Sequence, residues 1–160
     1  MLKEVSGDIL LTGARVIAHG VAPNDDFGQG LALQLRERYP AMAKDFRHYC
    51  HTANPKPGEI WAWAGADGIR IVNLMTQEAP PHQGAKPGKA SAHNVNSALR
   101  HLKQLIEREG FESVALPRLA TGVGGLDWKA VRPLFDHHLG DLDVSVYIYT
   151  TYHAGQKGDE

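Results

Sequence analysis

The sequence predicts an α/β domain with helices on both faces of one sheet, and three observations predict it. Short apolar runs alternate along the chain with segments of helical periodicity. A glycine-bearing turn, Gly65-Ala66-Asp67-Gly68, joins two alternating runs as a hairpin does. Three loops rich in turn formers, residues 20–30, 76–89 and 117–125, each follow an apolar run and lead toward a helical segment.

The elements follow in order. Residues 2–5 alternate weakly and read as an edge strand, and residues 7–10 as a tight turn. Residues 16–20 form a compact apolar run closed by glycine, the pattern of a buried strand. Leu31, Leu35 and Tyr39 recur at helical spacing with Pro40 as the stop, and residues 42–49 read as a second helix. Strands are predicted at 59–63 and 69–75. Residues 77–89 hold Pro80, Pro81, Gly84, Pro87 and Gly88 without periodicity, so they read as a long surface loop, a kind often functional in compact domains. Ser91 is the expected N-cap of a helix whose stripe is Val95, Leu99, Leu102, Leu105 and Ile106, closed by Gly110. A strand at 113–116, a helix from 126 through His138 and a last strand at 144–149 complete the pattern. Residues 1–155 are read as one domain and 156–160 as a frayed tail.

The chain has 160 residues, enough for one domain that buries roughly 70% of its unfolded surface without staples. Its net charge is −1, so strong nonspecific nucleic-acid binding is not expected, although a local anion pocket is allowed. The single cysteine, Cys50, excludes an internal disulfide or a cysteine-cluster metal site. The histidines are scattered with no His-Glu-x-x-His spacing, so no metal is assigned, and no cofactor is called for. The charged N-terminus is not a signal peptide, and no apolar run approaches the ~20 residues of a membrane span. A cytoplasmic protein is expected.

In α/β sheets, ligands bind where loops leave the carboxyl ends of strands. Phe27-Gly28-Gln29-Gly30 runs into a helix, and its glycines let backbone approach a ligand closely beside the free N–H groups of the helix start. Thr121-Gly122-Val123-Gly124-Gly125 lies between a strand and a helix, where consecutive amides can form an anion-binding nest. It lacks the Gly-Lys-Ser/Thr of a Walker loop and the spacing of a dinucleotide fingerprint. Each loop alone could be an ordinary turn. Together they fit a ligand with two phosphates and flanking sugars. Asp8, just after the first strand, can accept a hydrogen bond from a base amino group or simply close an Asp turn.

Gly7-Asp8-Ile9-Leu10, Ile17-Ala18-His19, Phe27-Gly28-Gln29-Gly30-Leu31-Ala32 and the run from Pro117 to Trp128, in that order, resemble a macrodomain. The resemblance is to the class of terminal ADP-ribose protein glycohydrolases and DNA ADP-ribosyl glycohydrolase antitoxins. It implies a three-layer α/β/α fold with a mixed central sheet. It also implies a partner, ADP-ribose or an ADP-ribosylated macromolecule. By the same resemblance Asp8 holds the adenine amino group with the Ile9 backbone beside it. Phe27, Gly28, Gln29 and Gly30 wrap the distal ribose and one phosphate, and Thr121, Gly122, Val123, Gly124 and Gly125 cradle the diphosphate. Tyr149 lies near the adenine or proximal ribose, or only packs in the sheet.

The departures from the family pattern are as informative. In these glycohydrolases a lysine follows the strand-end threonine as nucleophile on the sugar, and an acid sits in the phosphate loop. Here Thr76 is followed by Gln77, and Gly124 stands at the acidic position; Val123 replaces an asparagine of the antitoxins. An amide forms no Schiff base and glycine carries no proton. Thr76 and Gln77 are therefore assigned to ligand binding. Catalysis is assigned to His19, Asp25 and Asp26, with water activated by the histidine or an aspartate. The loop carrying His82, Lys86 and Lys89 can fold over the distal ribose. The expected activity is hydrolysis of an ADP-ribosyl linkage (protein ester, modified base or ADP-ribose-1″-phosphate). The alternative is a reader that binds ADP-ribose without turnover, and a third reading is an unrelated nucleotide-binding protein.

Overall fold

The computed structural model describes residues 1–160. Six strands, β1 (Leu2–Gly7), β2 (Val16–Val21), β3 (Ile60–Ala64), β4 (Arg70–Met75), β5 (Ser113–Pro117) and β6 (Ser145–Tyr152), form one sheet in the order β1-β6-β5-β2-β4-β3. All neighbours pair in parallel except β3 with β4, the antiparallel hairpin closed by the Gly65–Gly68 turn. The sheet is thus mixed, as expected.

Strand side chains alternate between two cores because successive residues point to opposite faces. Val16, Ala18, Val72, Leu74, Val114, Leu116, Val146 and Ile148 pack under α3 (Ala92–Glu109) and α4 (Trp128–Leu139). Ile17, Val21, Ile71, Met75 and Ala115 pack under α1 (Gly30–Arg38) and α2 (Pro40–Ala53). The result is three layers, α/β/α. Ser91 caps α3 by accepting from the Asn94 amide, and Gly110 ends it in the left-handed conformation at φ 68°. α1 stops just before Pro40, as expected, and Pro40 itself opens α2 at its first turn, where a missing N–H costs nothing. No helix is long and apolar enough to cross a membrane.

Residues 156–160 lie against the domain. They fold back on the start of the chain: the Gln156 carbonyl accepts from Asp8 N at 2.7 Å, and the Glu160 carboxylate accepts from Gly13 N at 3.0 Å and from the Tyr149 hydroxyl at 2.6 Å. The terminal position alone made the tail read as free. Its backbone is held by hydrogen bonds that hydropathy does not report.

Candidate functional site

Parallel pairing puts the carboxyl ends of β2, β4 and β5 on one edge of the sheet, so the loops that leave them meet. They enclose a cleft of about 480 Å³. From the first loop it is lined by Asp25, Asp26, Gly28, Gln29 and Gly30, and from the last by Arg118, Gly122, Val123 and Gly124. His19, Gly20 and Gln77 form part of its wall, and Lys86 belongs to the loop after β4. The two glycine loops therefore share one cavity.

The first loop is built by aspartates. Asp25 accepts from Ala22 N at 2.9 Å through one oxygen and from Phe27 N at 2.9 Å through the other. Both of its acceptors hold the loop. Burial raises its carboxyl pKa, against the two backbone hydrogen bonds that lower it. Asp26 is exposed; it accepts from Gly28 N through Oδ1 and leaves Oδ2 without a protein donor. Phe27 takes a left-handed backbone at φ 56° and turns its ring inward, against His19 and Phe46. It is buried behind the cleft and lines a neighbouring cavity instead, with His82, Arg36, Lys44 and Arg47. Gln29, at the N-cap of α1, makes no side-chain cap, so the helix start is left open to the cleft.

His19 stands opposite Asn73 on the adjacent strand, and its Nε2 donates to Asn73 Oδ1 at 2.7 Å. The Asn73 amide nitrogen faces the Trp61 carbonyl and the Met42 sulfur, which turns its oxygen to the histidine. The ring is then left with Nδ1 as its acceptor. Burial lowers the His19 pKa to about 4, partly offset by the Asn73 hydrogen bond. In the unfolded chain the same residue titrates near 6.5. Between these values the unfolded state binds more protons. The resulting stability is full above about pH 6.5 and is lost as pH falls toward 4, to an extent of about 3 kcal/mol at most. Urea midpoints of the wild type should therefore fall from pH 7 to pH 4.5 more steeply than those of His19→Gln. Equal slopes would contradict the buried neutral ring.

Thr76, expected to touch ligand, is fully buried beneath the cleft. Its hydroxyl has no hydrogen-bond partner and lies 2.9 Å from where a Cβ on Gly20 would sit. A buried hydroxyl left unpaired is a group that a ligand or water can satisfy. Gln77 lies in the wall and donates from Nε2 to the Gly88 carbonyl at 3.0 Å, pinning the loop after β4. Lys89 lines neither cavity. In the last loop Thr121 turns its hydroxyl to the Arg118 carbonyl, and Gly125 closes the turn at φ 78° with its amide on the Gly122 carbonyl. Neither lines the cleft, whereas Gly122, Val123 and Gly124 do.

Beyond Gly30, Leu31 and Pro117 the cleft continues into an apolar cavity of about 390 Å³ lined also by Ile9, Tyr149 and Tyr152. Burial, with Glu160 beside it, pushes the Tyr149 hydroxyl pKa up. Asp8 is buried between two lining residues, Gly7 and Ile9, and does not itself line the cavity. Its Oδ1 accepts from Leu10 N and its Oδ2 from Gly155 N, both at 3.0 Å. Sequence reasoning missed Asn73, Arg118 and Tyr152. Asn73 carried a signal, a lone polar residue inside the apolar run Ile71-Val72-Asn73-Leu74-Met75.

The Macro domain family model matches residues 15–135, well over half of the chain. The DNA ADP-ribosyl glycohydrolase of Mycobacterium tuberculosis is 29% identical over 92% of this chain, which spans 42% of that relative's length. The human ADP-ribose glycohydrolase OARD1 is 22% identical, covering 84% of this chain and 80% of its own. The solved macrodomain of Thermus aquaticus DarG superposes with a TM-score of 0.81 at 26% identity, covering 94% of this chain and 98% of its own. With its layered sheet, its paired glycine loops and these matches, the chain belongs to the macrodomain family.

Proposed function

We propose that this macrodomain binds ADP-ribose and hydrolyses an ADP-ribosyl linkage at the distal ribose, in the cytoplasm. One observation carries the reading: both glycine loops line a single cleft that runs on into an apolar cavity of base size. Amides of residues 29–30 and 122–124 hold the diphosphate, with Arg118 at the same wall as a countercharge. The base lies among Ile9, Leu31, Pro117 and Tyr149, and Asp8 reads its amino group. The relatives named above carry ADP-ribosyl glycohydrolase names, which supports the same ligand.

At the distal end, the water oxygen bonds to C1″ while the bond from C1″ to its substituent breaks; the substituent leaves with the bonding pair and takes up the proton that water loses. His19 Nδ1 and the free oxygen of Asp26 are the acceptors that orient this water. Asp25 holds the loop. Gln77 contributes a neutral amide, so the route has no covalent intermediate. A reader without turnover is favoured by a different observation. A side chain on Gly124 would meet the Ala120 carbonyl at 2.7 Å, so this loop has no room for a proton-carrying acid there.

Calorimetry with ADP-ribose tests binding, and release of ADP-ribose from an aspartate- or glutamate-linked substrate tests turnover. Micromolar binding without release at stoichiometric protein selects the reader. Equal affinity for ATP or NAD overturns both readings. Asp8→Ala should weaken ADP-ribose binding by about 1–3 kcal/mol, and an unchanged dissociation constant would remove Asp8 from the site.

A further inference from the structure

After Tyr152 the chain doubles back across the carboxyl end of β1. His153 N donates to the Gly7 carbonyl at 3.1 Å, Gly155 N to Asp8 Oδ2 at 3.0 Å, and Asp8 N to the Gln156 carbonyl at 2.7 Å. Gly158 then lies against Gly7: a Cβ on Gly7 would meet Gly158 N at 2.8 Å, and one on Gly158 would meet Val5 Cγ1 at 2.5 Å and the Tyr149 oxygen at 2.7 Å. Two backbones touch here because neither residue has a side chain. The Glu160 carboxylate closes the segment on Thr12, Gly13 and Tyr149.

We infer that residues 153–160 are an intramolecular strap that competes with the nucleobase for Asp8. The inference rests on the ADP-ribose reading above. The group assigned to the adenine amino group already has both oxygens satisfied by amides of this chain, one from the strap. Gly155 N–H and an exocyclic amino N–H are neutral donors to the same oxygen, so one can replace the other at little net change in hydrogen bonding. The strap is also displaceable. Its residues are exposed except for half-buried Gly158, so it is held by hydrogen bonds with little apolar burial, the hallmark of a segment that opens locally. No residue of 153–160 lines the base cavity. The strap therefore governs reading of the amino group and leaves room for the ring.

Two variants test this, Gly158→Val and a chain cut after Tyr152. Gly158→Val ejects the strap by crowding Val5 and Tyr149, and the shortened chain removes it. Each is titrated with ADP-ribose and with its hypoxanthine analogue, which carries a carbonyl where adenine has the amino group. Both variants should bind ADP-ribose about three- to tenfold more tightly, the factor expected if the strap is docked in about 70–90% of molecules. Affinity for the analogue should stay unchanged, so preference for adenine rises. General loss of structure would weaken both ligands together and leave the ratio still. ADP-ribose affinity that is unchanged or weaker in both variants overturns the strap while the functional reading stands. No binding of ADP-ribose by wild type or variants overturns both.

Discussion

Gly122→Val is expected to lose ADP-ribose binding by about 100-fold or more, near 2.7 kcal/mol, while melting at the wild-type temperature. Gly122 is exposed on the cleft wall, and a Cβ built on it meets nothing within 4 Å. Its φ lies outside the left-handed region, so valine fits the backbone without strain. The new side chain then stands in the space proposed for the diphosphate and keeps the phosphates from neighbouring amides. Charge-assisted hydrogen bonds of this kind are worth about 1.5–3 kcal/mol each, so losing two suffices. Wild-type affinity in this variant would remove the last loop from the phosphate site.

Gly124→Val should do the opposite, unfolding first. A Cβ on Gly124 would meet the Ala120 carbonyl oxygen at 2.7 Å, Ala90 Cβ at 2.8 Å and Ala120 Cα at 2.9 Å. Two of these are backbone atoms of the same turn, whose Leu126 N donates to the Ala120 carbonyl. The Gly124 carbonyl also accepts from Ala90 N, tying this loop to the one after β4. No rotamer change relieves such a clash, so the turn must move and its hydrogen bonds with it. Overpacking on this scale costs about 2–4 kcal/mol, or roughly 5–15 °C in melting temperature for a chain of this size. A Gly124→Val protein that melts like the wild type would mean that the loop is not packed as described.

The contrast between these two glycines was not legible in the sequence, where Gly-Val-Gly-Gly offers equivalent residues. It comes from Ala90 and Ala120, residues brought close by the fold. The strands and helices were legible because apolar spacing records which face is buried. The last strand ran on to Tyr152, past its apolar part, because parallel pairing with β1 extends to Gly7. The two aspartates of the first loop looked alike as acids. Only geometry separates Asp25, whose two oxygens shape the loop, from Asp26, which keeps one free. The pairing of His19 with Asn73 depends on strand register, which no local pattern specifies.

Backbone amide shifts followed by NMR during an ADP-ribose titration test the two-loop cradle most directly. Gly28, Gly30, Gly122 and Val123 should shift together and saturate with one dissociation constant. Saturation with those four amides unmoved, and the shifts gathered elsewhere on the molecule, would contradict the cradle.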